Sequence, residues 1–323
     1  MKGIFLGDAF QIGRVYPTWI KERLFDIADV EDKVYTKETL SENMDAECIF
    51  STWGMPHFTA EEIARYFPRL RAVYYAAGTV QGFAREFLES GVRIYSAWGA
   101  NAVPVAEYTV AQIILANKGF FRSSALASRG ERARAVDVYQ RYNGNYGCSV
   151  GIIGVGMIGS MVCERLADYN LSVKFFDPFL SDARADELGI ERASLEEIFS
   201  TCMVVSNHLA NKPETVKMLK KEHFEKMSPY STFINTGRGA QVDEEGLCRV
   251  LRAREDITAI LDVTYPEPPT EDSPFYSLDN CILTPHIAGS FGREVERMAE
   301  YMLDSFENPE KNEVTLDMLS RMA

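Results

Sequence analysis

Long apolar runs are missing from this chain of 323 residues, and no window reaches the ~18 apolar residues that a membrane span requires. The first apolar run, Ile4-Phe5-Leu6, stops at Asp8 and is too short for the core of a secretory signal, so a cytosolic protein is expected. Positive charge is scarce: 34 Lys and Arg face 47 Asp and Glu, for a net charge of −13, and no basic run offsets the balance. That repulsion argues against nucleic acid or an anionic membrane surface as a partner. The six cysteines, at 48, 148, 163, 202, 248 and 281, form no CxxC pair and no zinc spacing, so they read as reduced, buried small hydrophobes. The four histidines, His57, His208, His223 and His286, form no HExxH arrangement, and no metal is expected. No internal repeat or low-complexity segment stands out.

What is present is a composition of 46% hydrophobic and 25% charged residues, that of a globular chain long enough for two domains with separate cores. The most informative stretch is 149–177. A short apolar run, Val150, Ile152 and Ile153, enters Gly154-Val155-Gly156-Met157-Ile158-Gly159; a helical segment follows, then an apolar strand that ends at Asp177. Strand, glycine turn, helix, strand and terminal acid are the context of a dinucleotide fingerprint. The first glycine permits the tight turn, the second lets a pyrophosphate approach the backbone, and the third lets helix and strand pack closely. Free N–H groups at the helix start then face the phosphates. Asp177 is either a ribose-binding carboxylate or a solvated strand-end acid before Pro178, and the glycine turn favours the first. A carboxylate there accepts hydrogen bonds from ribose hydroxyls and repels a 2′-phosphate, which points to NAD rather than NADP.

Before this stretch, apolar runs at 3–6, 48–50, 72–75 and 92–95 alternate with amphipathic segments near 19–27, 59–66 and 83–88. Strands alternating with helices imply parallel βαβ units, so residues 1 to about 100 are expected to form a small doubly wound domain. Ligands bind at the carboxyl ends of such strands. Two turns there draw notice, one containing Trp53 and the other Ala76-Ala77-Gly78-Thr79. The second either exposes N–H groups to a small anion or is an ordinary strand-to-helix turn, and Trp53 is either a substrate lid or packing. A long helix is expected over 103–128, begun near Pro104, and residues 129–146 read as a polar surface excursion.

Beyond Asp177, helices are expected at 195–199, 213–227 and 243–254, and strands at 203–205, 232–234, 259–261 and 281–283. Six or seven parallel strands would complete a Rossmann-type sheet. The helix over 293–307, with no strand after it, is expected to cross back to the first domain. His208 either lies near the cofactor or is packing.

Three ionisable residues stand just beyond strand ends on the side of the glycine turn: Arg238 in Asn235-Thr236-Gly237-Arg238-Gly239, Glu267 in Tyr265-Pro266-Glu267-Pro268, and His286 in Thr284-Pro285-His286. Singly, each reads as an ordinary surface or strand-end residue. Together they would converge near the nicotinamide. A neutral imidazole, with an ordinary pKa of about 6.5, can take a hydroxyl proton, and a neighbouring carboxylate orients it and favours its charged form. A planar guanidinium can hold a carboxylate and polarise an oxygen on the neighbouring carbon with several fixed donors.

With these motifs in order, the chain closely resembles the D-2-hydroxyacid dehydrogenase family over nearly its whole length. The resemblance implies a Rossmann-type doubly wound parallel sheet plus a second, smaller flavodoxin-like α/β domain. Residues 1–102 and 292–323 would be the substrate domain and 103–291 the NAD-binding domain, joined through Val105-Ala106-Glu107, with the active site in the cleft between them. It implies catalysis by Arg238, Glu267 and His286. NAD would be held by Gly154, Gly156, Met157, Ile158, Gly159, Asp177, Thr236 and Asp262. The small-molecule 2-hydroxy or 2-keto acid would contact Trp53, Ala77, Gly78, Thr79 and Arg238, and a homodimer would form through the nucleotide domain near the helix from Val103. The run Gly78-Thr79-Val80-Gln81-Gly82 lacks the aspartate that many members carry, and the loop of Trp53, Met55 and His57 is not a common small-substrate signature, so the substrate is left open. With the sequence ending at Ala323, neither an appended regulatory module nor an interaction tail is expected. An NAD-sensing interaction protein of the corepressor type on the same fold is the alternative, and the missing tail and the three retained residues count against it.

Overall fold

The structure, a computed structural model, describes residues 1–319. It divides into two compact units, Met1–Ala102 with Ser290 onward, and Val103–Gly289. In chain order the first unit contains β1 (Lys2–Leu6), α1 (Ala9–Val15), α2 (Thr18–Ile27), β2 (Asp29–Tyr35), β3 (Cys48–Ser51), α3 (Ala60–Tyr66), β4 (Ala72–Tyr75), α4 (Ala84–Glu89) and β5 (Arg93–Ser96). Helix α5 (Trp98–Asn117) carries the chain into the second unit. There follow α6 (Phe120–Ser128), α7 (Arg132–Tyr139), β6 (Cys148–Ile153), α8 (Met157–Leu166), β7 (Leu171–Phe176), α9 (Asp182–Leu188), β8 (Glu191–Arg192), α10 (Leu195–Thr201) and β9 (Val204–Asn207). The unit is completed by α11 (Lys221–Glu225), β10 (Thr232–Asn235), α12 (Glu244–Ala253), β11 (Thr258–Leu261) and β12 (Cys281–Leu283); α13 (Glu294–Glu307), β13 (Glu313–Val314) and α14 (Leu316–Leu319) return to the first.

The first sheet runs β13-β5-β4-β3-β1-β2, and its five long-range parallel strands have the 2-1-3-4-5 order of a flavodoxin-like fold. The apolar side chains of β1, β3, β4 and β5 are buried together with Met298, Met302 and Leu303 of α13. The second sheet runs β12-β11-β10-β9-β6-β7-β8, all parallel, which is the Rossmann order with one further strand. Its order reverses between β6 and β9, and the crevice at that reversal is where such sheets take dinucleotides. Among the described residues no helix is long and apolar enough to cross a membrane. All six cysteines are free thiols, five of them buried.

Local signals explain most element ends. Thr59 and Glu62 form a reciprocal capping box on α3, with the Thr59 hydroxyl accepting Glu62 N–H and the Glu62 carboxylate accepting Thr59 N–H. Asp243 caps α12, whose apolar face buries Leu247, Cys248, Val250 and Leu251.

Four expectations need correction. The helix expected over 103–128 begins earlier, at Trp98, with Pro104 inside it, and breaks before α6 at Gly119. Gly119 has φ +64°, and a Cβ there would meet the Tyr142 ring at 2.4 Å, so the chain turns where only glycine fits. Residues 129–146 are not merely an excursion, because α7 forms within them. No continuous helix spans 213–227: a single 3-10 turn over Pro213–Thr215 gives way to a left-handed Lys217, φ +50°, and Lys217 and Leu219 donate their N–H groups to the carbonyls of Ala240 and Gln241, so helix resumes only at α11. A strand does follow the helix over 293–307, since β13 pairs antiparallel with β5 and is fixed there by a bidentate Arg93–Glu313 ion pair. The polar edge strand β2 and the short helices α1 and α9 also escaped the sequence pattern.

Candidate active site

Around the crevice of the second sheet, each fingerprint glycine has a separate steric cause. Gly154 has φ +86°, and a Cβ on it would stand 2.7 Å from the His208 carbonyl oxygen, so only glycine lets the turn after β6 lie against the chain leaving β9. A Cβ on Gly159 would stand 2.1 Å from the Gly154 carbonyl oxygen, which ties the first turn of α8 to the glycine loop. Gly156 faces open space, with nothing within 4 Å of its Cβ position. It is the N-cap of α8 and supplies no side-chain cap, and the N–H groups of Met157 and Ile158 meet no acceptor among the described residues. Open space before uncapped helix donors fits a pyrophosphate. Asp177 stands at the end of β7, with one carboxylate oxygen accepting Val155 N–H and the other accepting Phe179 N–H, each at 2.8 Å. Each oxygen keeps acceptor capacity for a ribose hydroxyl. These residues fit NAD.

His208 lies against this turn. Its ring nitrogens meet the Ser206 hydroxyl at 2.9 Å and the Thr236 hydroxyl at 3.4 Å, and burial pushes its pKa down to about 4. The half-buried ring is thus held between the ends of β9 and β10. Thr236 is itself buried, and its hydroxyl also meets that of Thr109.

Arg238, Glu267 and His286 follow the adjacent strands β10, β11 and β12, so sheet order brings their loops together. The Arg238 loop rests on a buried amide network. Asn235 accepts Gly237 N–H and donates to the Arg238 carbonyl; Gln241 accepts Arg238 N–H and donates to the carbonyls of Leu209 and Ala210; Asn207 donates to both Asn235 and Gln241. Burial draws the guanidinium pKa below its ordinary value, and the charge of Glu267 acts in the opposite direction. One arm of the guanidinium donates to the Gly237 carbonyl at 2.7 Å.

Glu267 stands in an exposed loop with cis peptide bonds before Pro266 and Pro268, and its carboxylate meets His286 Nδ1 at 2.5 Å. The other ring nitrogen of His286, Nε2, has no partner among the described residues. The His286 backbone lies in the left-handed region, φ +56°. Asp262, only 2% exposed, holds this turn: one carboxylate oxygen accepts the Thr284 hydroxyl at 2.6 Å and Ile287 N–H at 2.9 Å, and the other accepts Ala288 N–H at 2.9 Å. Asp262, expected among the cofactor contacts, thus has both oxygens engaged by the His286 loop.

In the first unit, the turn after β4 has its Ala77 and Gly78 carbonyls tied to the Ser96 hydroxyl, at 3.0 and 2.6 Å. Ala77 N–H, expected to be a substrate donor, is already given to the Tyr75 carbonyl at 2.9 Å. Gly78 and Thr79 keep N–H groups without an acceptor among the described residues, so the donor set shrinks to these two. Trp53 packs partly buried against the core of this unit. The network of Asn207, Asn235 and Gln241 and the carboxyl of Glu244 were missed in the sequence. The available signal was an asparagine closing two successive apolar strands, since a buried amide there must find partners.

A Rossmann sheet with an uncapped glycine turn, a terminal aspartate and an Arg–Glu–His set on three neighbouring loops defines a dinucleotide-binding protein of the dehydrogenase class. The chain belongs to the D-isomer specific 2-hydroxyacid dehydrogenase family, whose NAD binding domain matches residues 110–288, more than half of its length. NAD is accordingly its cofactor. It is 34% identical over 204 residues to the putative 2-hydroxyacid dehydrogenase YoaD of Bacillus subtilis, covering 62% of this chain and 58% of that one. It is 31% identical over 204 residues to a D-3-phosphoglycerate dehydrogenase of Archaeoglobus fulgidus, covering 62% of this chain and 38% of that one. The alignments thus span from about two fifths to three fifths of these relatives. In fold it is similar to the NAD-complexed D-isomer specific 2-hydroxyacid dehydrogenase of Lactobacillus delbrueckii ssp. bulgaricus, with TM-score 0.78 at 16% identity, covering 97% of this chain and all of that one.

Proposed function

We propose that this chain interconverts a D-2-hydroxy acid and the corresponding 2-keto acid, with His286 as the acid and base. The observation that carries the reading is the His286–Glu267 pair at 2.5 Å, with Nε2 without a partner among the described residues, on loops after β12 and β11 in the same run of strands as β10, which leads to Arg238. Held by the Gly154–Gly159 turn and Asp177, NAD would supply the hydride acceptor for oxidation at C2 and, as NADH, the hydride donor for reduction. His286 Nε2 takes the C2 hydroxyl proton during oxidation and supplies it during reduction. Glu267, on Nδ1, fixes the ring and stabilises the imidazolium that results. Arg238 holds the substrate carboxylate and polarises the C2 oxygen, charge stabilisation that a partly buried guanidinium performs well. Gly78 and Thr79 N–H groups are the proposed further donors to the carboxylate. Asp177 reads the ribose, and Gly156 with the α8 N-terminus takes the pyrophosphate.

The 1–102 and 292–323 parts are proposed as the substrate domain, 103–291 as the NAD-binding domain, and the assembly as a cytosolic homodimer. Exposed Phe120, Val136 and Tyr139 on α6 and α7 support a contact in that region.

The test follows NADH oxidation with glyoxylate, hydroxypyruvate, pyruvate, 3-phosphohydroxypyruvate and bulkier sugar-derived keto acids. The phosphorylated arm is included because the archaeal relative is a D-3-phosphoglycerate dehydrogenase. Turnover of at least one, with a loss of roughly 10²–10⁴-fold in His286→Ala, is expected. No turnover on any of them refutes the reading.

A further inference from the structure

Glu244 is a partly buried carboxyl for which the proposed chemistry has no role. It lies in the first turn of α12, directly after the Asp243 cap, on a helix whose apolar face is buried in the core of the second unit. Its half-buried side chain turns toward the loop after β11. Oε1 accepts Tyr265 N–H at 2.8 Å, and burial pushes the carboxyl up to about 7, with that same hydrogen bond pulling the other way.

The bond matters because of what Tyr265 belongs to. The segment Tyr265-Pro266-Glu267-Pro268 contains two prolines, which have no N–H, so its backbone offers only two donors, at Tyr265 and Glu267. Glu267 N–H has no acceptor among the described residues, which leaves Tyr265 N–H as the donor that ties this segment to the rest of the unit. Other restraints act at its start. Thr264 donates its hydroxyl to the Pro266 carbonyl at 2.9 Å, and Gly239 packs so closely on Thr264 that a Cβ would stand 2.0 Å from its carbonyl carbon. Tyr265 itself is 69% exposed and gains little hold from packing.

We propose that Glu244 is a positioning residue for the Glu267–His286 pair, holding the loop that carries Glu267 to α12 through Tyr265 N–H. The proposal rests on the roles given above to His286 and Glu267. Protein groups held about 1 Å out of place can lose on the order of 10²-fold in rate, so Glu244→Ala is expected to lower kcat by roughly 10- to 100-fold while leaving KM for NADH unchanged. Glu244→Gln keeps an acceptor oxygen and is expected to stay within about 3-fold of the parent.

A readout independent of turnover is the far-downfield proton signal of His286 Nδ1–H in the NADH-bound protein, assigned by its disappearance in His286→Gln. With four histidines in the chain, the assignment is tractable. The signal should move upfield or vanish in Glu244→Ala and persist in Glu244→Gln. A Glu244→Ala protein with the parent's signal and kcat overturns the proposal, as does a Glu244→Gln protein as impaired as Glu244→Ala. Should Glu244→Ala fail to fold, Glu244→Asp withdraws the oxygen by about 1.5 Å. A weakened signal there supports the link, and an unchanged one overturns it. Failure of the parent to turn over any keto acid would refute the functional reading and leave the proton signal to decide this one.

Discussion

Replacing Asp262 by Asn tests the idea that a buried carboxylate holds the turn that bears His286. One oxygen takes two donors, Thr284 Oγ1 and Ile287 N–H, and the other takes Ala288 N–H. An Asn with its amide oxygen in the two-donor position keeps those bonds at about half strength and turns its NH2 toward Ala288 N–H; the opposite orientation loses two bonds outright. Hydrogen bonds to a charged group contribute about 1.5–3 kcal/mol each. One bond lost and two weakened amount to about 4 kcal/mol, offset by about 1 kcal/mol from no longer burying a charge, for a net destabilisation of about 3 kcal/mol. For a unit of this size each kcal/mol moves Tm by roughly 2–4 °C, so a scanning-calorimetry transition should fall by roughly 6–12 °C. Because the same carboxylate fixes a residue with φ +56°, kcat should fall with it while NADH affinity changes little. A Tm drop below about 2 °C would refute the account of Asp262 as the anchor of this turn.

Gly159→Ala places a Cβ 2.1 Å from the Gly154 carbonyl oxygen, so NADH binding measured by fluorescence should weaken at least tenfold, and parent-like affinity would contradict the packing role. Asp177→Ser removes the carboxylate proposed to repel a 2′-phosphate, and the preference for NADH over NADPH should narrow at least tenfold, as read from kcat/KM for both. Glu244 predicts a pH dependence of stability. Its folded pKa of about 7 lies above the ordinary carboxyl value of 4.5, so the folded state binds more protons between these limits. Its contribution is fully present below about pH 4.5 and is lost as pH rises through about 7. The groups bearing on it are Tyr265 N–H and the thiols of Cys248 and Cys281, which stay protonated in this range. Glu244→Gln should therefore gain stability relative to the parent as pH is raised from 4.5 to 7 and no further above it, and a pH-independent difference in urea midpoints would contradict the buried-carboxyl account.

Much of the site is legible before folding because its parts are local. Gly154, Gly156 and Gly159 sit in one turn, Asp177 ends the next strand, and Arg238, Glu267 and His286 each follow an apolar run that can only be a buried strand. The features that escaped are those in which a neighbour overrules the local pattern. The strand β2, Asp-Val-Glu-Asp-Lys-Val-Tyr, looks like a solvated segment because it lies at a sheet edge, where charge is favoured. The two-residue strand β13 exists only because β5 offers an open edge and Arg93 a partner for Glu313. Residues 217–219 follow a good helix start at Pro213, yet their N–H groups go to the chain at 240–241. Glu244 looks like one more acid at a helix start until the loop of Tyr265 arrives to use it.

The sequence by itself determined the two alternating α/β halves, the glycine turn and the acid that ends the strand after it, since these depend on strand periodicity and on residues within a few positions of one another. Tertiary structure alone decided that β10, β11 and β12 are neighbours. That adjacency brings Glu267 to 2.5 Å from His286 and sets Asp262 beneath it, across sequence separations that no local rule spans.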